Sequence, residues 1–418
     1  MTETRVALLH PTGNGNVRQA LASFLDAAVL HEYATTVGRS SDSPVPRLLP
    51  ASIAGILSKR TYDLPKDKLR RRVREEVFRN ILLRSPNRRL RRLGEPWQRF
   101  GIGWVSDELD KAYSRRLASG VDLPTVLMAY QGMGSRSFDS AVALGIPRVL
   151  EVTHAHWRVT EATYERSNQN DPDWATTITF PLGFAKREVD AQLKSASLVL
   201  SPSRQVTESL SGIVSRDRLL EVPYGCPPVL SSSSTRSFSG MEPLRVLYVG
   251  RVQAGKGLAQ LARAKEALGT RIELTIIGAA PNVQSSALEG LLSSSRYLGT
   301  QSQSVVRSEM DRAHTFVMPS LVEGRSLAAL EAMSAGLSMI VTPGSGVDDL
   351  VEIGAGIVVP SGDGNALTTA FEQLLSNPKL VEQFSSVATT IAQANGWETY
   401  RAGLLQALQT AAERRSSV

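Results

Sequence analysis

The sequence predicts an α/β protein made of two doubly wound domains that face each other across a cleft. Short apolar runs alternate with helical patterns along most of the 418 residues, which is typical of a parallel sheet with helices on both faces. A stretch rich in Ser, Pro and Gly at residues 226–243 interrupts this alternation, which then starts again. The length also favours two domains, since one hydrophobic core seldom serves more than about 250–300 residues.

The domain boundaries follow from these patterns. We assign the first domain, a linker, the second domain and a terminal helical segment to residues 1–225, 226–243, 244–395 and 396–418. The main strands are predicted at 5–10, 125–131, 147–154, 244–250, 272–278, 315–320 and 338–342. Ligands of such sheets bind beyond the carboxyl ends of the strands, so functional residues are expected in the turns that follow them.

The composition excludes several classes of protein. The apolar fraction of 42% is ordinary for a globular chain, and no apolar run reaches the roughly 18 residues of a membrane-spanning helix. The N-terminus, MTETRVALLHPTG, lacks the charged and apolar regions of a secretory signal. Cys226 is the single cysteine, which excludes an internal disulfide and a zinc site made only of cysteines. These features predict a cytoplasmic protein.

Two turns that follow predicted strands are suited to an anionic ligand. In HPTGNGN, Gly13 and Gly15 allow close backbone approach before a helix whose N-terminal amides attract negative charge. In VGRVQAGKG, Arg251 and Lys256 place two cations where a phosphate pair could bind. The alternatives are a purely structural glycine turn and two solvated surface charges.

A third turn lies in EGRSLAALEAMSAG, residues 323–336. Ser326 is a candidate N-cap for a helix that ends near Gly336, and the amides near Ser326 and Leu327 could hold a phosphate. Glu331 could then accept hydrogen bonds from ribose hydroxyls, and Glu323 could contact a sugar hydroxyl. The alternative is that both glutamates are solvated, as most glutamates are.

The fourth turn, EVTHAHW, carries two histidines at the end of a predicted strand. His154 or His156 could face the cleft and donate a hydrogen bond to a hydroxyl or to a developing charge. A structural role is the alternative for each. Because no cysteine and no third histidine is nearby in the sequence, a metal site is not expected.

In this order, the motifs resemble the retaining glycosyltransferases of family four, the glycosyl transferases group 1, which have the GT-B fold of two Rossmann-like domains. The resemblance is clearest between roughly residues 195 and 375. It rests on VGRVQAGKG, IIG, FVMPSLVEGRSLAALEAMSAGLSMIVT and GAGIVVPSGD, with weaker matches at ASLVLSPSRQVTESL and EVPYGCPP. It implies that a hexose moves from a nucleotide sugar, such as a UDP- or GDP-sugar, to an unidentified acceptor with retention of anomeric configuration.

The resemblance also implies a role for each matched residue. Arg251 and Lys256 would bind the donor diphosphate, Glu331 the ribose and Glu323 the sugar. His154 would lie near the reaction centre. The resemblance further matches Gly13 and Gly15 to the glycine turn of the first domain, and residues 396–418 to a closing helix that crosses back to it. No metal or other cofactor is expected, because cations and helix-terminal amides can stabilise the leaving phosphate.

Four positions depart from the family pattern and leave the donor and acceptor open. Arg325 stands where phenylalanine is usual, which predicts an added positive charge near the sugar or phosphate. Ser338 replaces a common proline, and Ala155 follows the histidine where aspartate is frequent. The first glycine turn reads Gly-Asn-Gly and not Gly-Gly.

The net charge of +7 comes from one basic segment, residues 59–99, in which 15 Lys or Arg outnumber 5 acidic residues. Leu69, Val73, Val77 and Ile81 recur there every four residues, which predicts an amphipathic basic helix. Such a helix could lie on an anionic membrane and reach a lipid-linked acceptor. It could also bind an anionic glycan or a protein, or be a solvated face packed through its aliphatic stripe.

Two further functions stay open. The basic segment could bind nucleic acid, but its aromatic residues are sparse and this function would leave the second domain's cleft unexplained, so no nucleic-acid partner is expected. A GT-B sugar-nucleotide epimerase would use the same cleft. It would turn over its nucleotide sugar without an acceptor.

Overall fold

The computed structural model describes residues 4–43, 60–73, 76, 88–178, 186–229 and 235–414, with the backbone alone for 88–102. These residues form two α/β domains, each with its own parallel sheet. The predicted fold class is confirmed.

Seven described strands form the sheet of the first domain, in the order β5-β2-β1-β6-β7-β8-β9, and all their pairings are parallel. The central strand, β6, and its neighbour β1 are fully buried because helices cover both faces of the sheet. The strands of this domain, including the separate pair β3–β4, are β1 (Val6–Leu9), β2 (Leu30–Thr35), β3 (Arg39–Ser40), β4 (Thr61–Tyr62), β5 (Leu69–Arg71), β6 (Val126–Tyr130), β7 (Arg148–Glu151), β8 (Leu198–Ser201) and β9 (Leu219–Glu221).

The helices of the first domain follow the strands, as expected for a doubly wound sheet. They are α1 (Gly15–Asp26), α2 (Arg88–Ala118), α3 (Ser135–Ala143), α4 (Trp157–Asn170), α5 (Lys186–Ser195) and α6 (Arg204–Ser209). A 3₁₀ segment, Pro172–Thr177, follows α4. Helix α3 begins where the Asp110 carboxylate of α2 accepts hydrogen bonds from the Arg136 and Ser137 amides, which satisfies amides that have no partner inside the helix.

The second domain has a parallel sheet in the order β12-β11-β10-β13-β14-β15. Its strands are β10 (Leu244–Val249), β11 (Ile272–Ile277), β12 (Arg296–Tyr297), β13 (Thr315–Met318), β14 (Ser338–Val341) and β15 (Gly356–Val358). Its helices are α7 (Leu258–Leu268), α8 (Ser286–Ser293), α9 (Gln303–Arg312), α10 (Leu327–Ser334), α11 (Asp348–Leu350), α12 (Gly364–Ser376) and α13 (Lys379–Ala394).

The chain crosses between the domains twice, and the two crossings lie side by side. The first follows β9, where the Cys226 amide donates to the Asn395 carbonyl at 2.8 Å. The second precedes a terminal helix, α14 (Trp397–Glu413), which packs on α1 of the first domain. Arg401 of α14 donates to the Gln19 side chain of α1.

Two local predictions need correction. The strand predicted at 147–154 ends at Glu151, and Thr153 beyond it lies against Gly324 of the second domain. The predicted amphipathic helix does not include Leu69, which lies in the edge strand β5 with its side chain buried. Hydrogen bonding to β2 overrides the four-residue spacing there. Val77 and Ile81 lie outside the described residues.

Within the described residues, no helix combines the length and apolarity needed to cross a bilayer.

Candidate active site

The turn after β10 carries Lys256 to the boundary between the domains. A 3₁₀ turn, Ala254–Lys256, ends at Gly257, whose positive φ of 72° leads into α7. This turn docks on the first domain because the Ala254 amide donates to Thr177 Oγ1 at 2.9 Å. Arg251 opens the turn with an exposed side chain.

The turn after β13 lies against the turn that carries Lys256. The Leu321 amide donates to the Gly255 carbonyl at 3.0 Å. A Cβ at Gly257 would lie closer than 3.0 Å to the Pro319 carbonyl oxygen. Glycine therefore allows the two turns to approach closely, and their side chains share one site.

Lys256 and Glu323 form an ion pair, with each side chain largely withdrawn from solvent. Ser320 Oγ also donates to Glu323 Oε2 at 3.5 Å. Burial, and then the nearby Arg251 charge, lower the pKa of Lys256 to about 7, whereas the Glu323 carboxylate favours its charged form. Burial and the ion pair therefore act on the protonation of Lys256 in opposite directions.

The segment that follows β7 brings His154 to the same point. A Cβ at Gly324 would lie closer than 3.0 Å to the Thr153 carbonyl oxygen, so the two domains touch here through backbone. Burial lowers the pKa of His154 to about 4, and the Lys256 charge adds to this effect. His154 is therefore neutral at pH 7 and able to donate or accept a hydrogen bond.

His156 has a structural position. It caps α4, where its Nδ1 accepts from the Arg158 amide, and its Nε2 lies 2.9 Å from Asp190 Oδ1. Only 1% of its surface is exposed. Of the two histidines in EVTHAHW, the structure brings His154 to the domain boundary.

The first glycine turn faces α10 of the second domain. Gly13 has a φ of 61°, and a Cβ there would overlap the Tyr62 ring, so glycine is required on both counts. A Cβ at Gly15 would lie 3.8 Å from Leu327 Cδ1. The N-terminus of α1 and the N-terminus of α10 therefore lie close together across the domain boundary.

Helix α10 presents the residues predicted to bind the donor. Ser326 is its N-cap and accepts from the Ala329 amide at 3.3 Å. Leu327 and Glu331 are four residues apart and share a helix face. Burial raises the pKa of Glu331, and the Arg307 charge opposes this shift. A partly buried carboxylate of this kind gains from hydroxyl donors supplied by a ligand.

Arg325 does not supply the ligand-facing charge that the sequence suggested. Its guanidinium makes two hydrogen bonds to the Asp349 carboxylate and donates to the carbonyl oxygens of Gly346 and Tyr224. Only 2% of the side chain is exposed. The backbone of the turn is therefore the part of Arg325 that can reach a ligand.

Two residues near the site were not predicted from the sequence. His10 ends the first strand region, and its Nδ1 accepts from the amides of Thr12 and Gly13, which shapes the glycine turn. Its position directly before Pro-Thr-Gly was the available signal. Tyr164 of α4 packs on the second domain, where a Cβ at Gly255 would meet its ring at 2.6 Å. A tyrosine inside a polar helix gave no such signal.

Among the residues that the structure describes, no group of three or more His, Cys, Asp or Glu side chains could hold a metal ion. The charged groups of this site include Lys256, Glu323 and the nearby Arg251. This set fits an anionic ligand that carries hydroxyl groups, since cations bind phosphate and carboxylates bind hydroxyls.

Two facing parallel-sheet domains with this double crossing define the GT-B fold. The sucrose-phosphate synthase of Thermosynechococcus elongatus superposes with a TM-score of 0.61 at 18% identity, over 96% of this chain and 98% of that one. Anabaena HepE, solved in complex with UDP and glucose, superposes with a TM-score of 0.62 at 12% identity, over 97% of this chain and 100% of that one. Both similarities show the fold.

The second domain is a glycosyl transferases group 1 domain: residues 243–377 match the family model of that description. For the second domain, the resemblance to the glycosyl transferases group 1 is confirmed. The amylovoran biosynthesis glycosyltransferase AmsK of Erwinia amylovora is 31% identical over 147 residues, 32% of this chain and 36% of AmsK. The chain thus matches about a third of the length of this curated relative.

Proposed function

We propose that this protein is a glycosyltransferase that moves a hexose from a nucleotide-diphosphate sugar to an acceptor with retention of anomeric configuration. The observation that carries the proposal is the meeting of Lys256, Glu323 and the His154 segment at the boundary between the two domains. The group 1 domain and the fold support it. HepE was solved with UDP and glucose, which favours a nucleotide sugar as donor here.

In the proposed reaction, the bond from the anomeric carbon to the donor phosphate breaks, and a bond to an acceptor hydroxyl oxygen forms on the same face. The acceptor proton passes to the leaving phosphate oxygen. Lys256, Arg251 and the amides at Ser326 and Leu327 stabilise the growing phosphate charge, since preorganised electrostatics is usually the largest catalytic term. These groups stabilise the charge on the leaving phosphate, a role that a divalent metal has in other enzymes, so we propose no cofactor.

Glu323 and His154 act on the sugar side in this proposal. The Glu323 carboxylate accepts from sugar hydroxyls once the diphosphate has engaged Lys256. Neutral His154 hydrogen-bonds a sugar hydroxyl near the reaction centre, while Glu331 holds the ribose. The close contact at Gly324 and Thr153 excludes water from the donor, which limits hydrolysis.

The experiment that tests the proposal is a panel of UDP- and GDP-sugars incubated with acceptor mixtures, with release of nucleoside diphosphate and the sugar product followed by NMR. Transfer with an unchanged anomeric configuration supports it. Turnover of the nucleotide sugar without any acceptor supports the epimerase alternative. No turnover and no binding of any donor contradicts both.

We propose an anionic membrane surface as the partner of the described part of segment 59–99. Lys66, Arg71 and Val73 are exposed at and beside the edge strand β5, where Arg70 pairs with Glu32. Exposed cations beside an apolar side chain suit an anionic interface. Cosedimentation with vesicles of phosphatidylglycerol, compared with phosphatidylcholine, tests this partner. Equal binding to both, or to neither, contradicts it.

A further inference from the structure

Buried hydrogen bonds join the turn at Gly13–Gly15 of the first domain to the turn at Gly324–Ser326 of the second domain. Arg325 Nε donates to the Tyr224 carbonyl oxygen at 3.2 Å, and Tyr224 Oη donates to Glu151 Oε1 at 2.7 Å. Asn16 Nδ2 donates to both of these oxygens, Tyr224 Oη and Glu151 Oε1, at 3.1 Å each. Arg325 follows Gly324 in one turn, and Asn16 follows Gly15 in the other.

Tyr224 is the central residue of these hydrogen bonds because it lies in the first crossing between the domains. Its carbonyl oxygen accepts a hydrogen bond from Arg325 of the second domain, and its hydroxyl donates one to Glu151 of the first domain. Glu151 is the last residue of β7, three residues before His154, and its second oxygen accepts from Tyr400 at 2.9 Å. The same carboxylate therefore anchors the segment that carries His154.

Arg325 connects this chain of contacts to two further elements. A buried guanidinium is costly unless its donors are satisfied. Here its partners come from the crossing, from Gly346 after β14 and from Asp349 after α11 begins. These contacts leave the donor-side turn little freedom to move without Tyr224.

We propose that Arg325 and Tyr224 are positioning residues that hold the turn at Gly324–Ser326 and the turn at Gly13–Gly15 in one fixed relation, so that both turns order together around the donor. The donor part of this inference rests on the proposed function. The mechanical part, which is the fixed relation between the two turns, does not rest on it, because its contacts are all between residues of the chain.

The mechanical part is tested by hydrogen–deuterium exchange on the ligand-free full chain. Arg325→Lys keeps a charge beside Asp349 but loses the fork that reaches Tyr224. We expect amides of residues 13–18 to exchange about tenfold faster in this variant. Arg263→Lys is the matched control, because Arg263 pairs with Asp171 across the same domain boundary without touching Tyr224. Unchanged exchange at 13–18, or an equal rise in the control, would overturn the proposal.

The donor part is tested with two tyrosine variants that each remove one hydrogen bond to Glu151. Tyr224→Phe and Tyr400→Phe should both lower the melting temperature, and Tyr224→Phe should lower it more because it also removes the hydrogen bond from Asn16. Only Tyr224→Phe should raise the Kd for UDP or GDP, by about tenfold, and its effect should be non-additive with that of Arg325→Lys. Equal Kd changes in both variants, or strict additivity, would refute the role. A wild type that binds neither nucleotide refutes the proposed function, and the exchange experiment still decides the mechanical part.

Discussion

Lys256 and Glu323 form an ion pair at the domain boundary although they belong to different turns, one after β10 and one after β13. The cation proposed to bind the diphosphate is thus paired with the carboxylate proposed to contact the sugar. A donor must replace this internal anion at Lys256, and the released carboxylate is then available to sugar hydroxyls.

The pairing predicts opposite effects of Glu323→Gln on product binding and on transfer. At pH 6, where Lys256 keeps its proton in both proteins, free UDP or GDP should bind about tenfold more tightly, because no carboxylate competes for Lys256 or repels the diphosphate. Transfer should fall by about a hundredfold or more, as for loss of a group that acts in the transition state. Calorimetric titration and initial rates measure the two effects. Glu352→Gln, which removes an exposed partner of Arg204 across the same boundary, is the control and should change neither.

Nucleoside diphosphate binding should weaken as the pH rises above about 7. Burial and the Arg251 charge lower the pKa of Lys256 to about 7, and the paired Glu323 carboxylate opposes this shift, so the free site loses its proton above neutral pH and must regain it to bind the anion. The affinity should fall by up to about tenfold per pH unit between pH 7.5 and 9.5. Lys256→Arg should remove this dependence because arginine stays charged. The same slope in both proteins would contradict the assignment.

Acidification below pH 6.5 should destabilise the protein through its buried neutral histidines. Burial lowers the pKa of His10 to about 3 and that of His154 to about 4. The unfolded chain therefore binds more protons between those values and 6.5, and the free energy of unfolding falls as the pH decreases. Urea unfolding at pH 7, 6 and 5 measures this slope. His10→Gln should reduce the slope, and an unchanged slope would show that His10 does not contribute.

Gly324→Ala should separate the two domains without unfolding either. A Cβ there would overlap the Thr153 carbonyl, and backbone on both sides has little room to yield. We expect a larger radius of gyration in solution scattering and a loss of transfer activity. Gly290→Ala is the control, since a Cβ at Gly290 meets nothing within 4 Å. A wild-type radius in Gly324→Ala would show that this contact does not set the domain spacing.

The strand ends and helix caps of the second domain could be predicted because local signals agree with the fold. Ser326 caps α10 as predicted, and β10 and β11 end within one residue of their predicted bounds. Arg325 could not be placed from the sequence, since its partners, Tyr224, Gly346 and Asp349, come from distant positions. Leu69 was misassigned because edge pairing with β2 outweighs a helical spacing.

The central claim is that the cleft binds a nucleoside diphosphate through Arg251 and Lys256 while Glu331 holds its ribose. Calorimetric titration of UDP and GDP into the wild type, Arg251→Ala and Glu331→Ala tests it most directly. We predict that the wild type binds at least one of the two nucleotides and that each variant loses about 1.5–3 kcal/mol or more of binding free energy, as for hydrogen bonds to charged groups, with an unliganded melting temperature close to that of the wild type. Wild-type affinity in both variants would contradict the account.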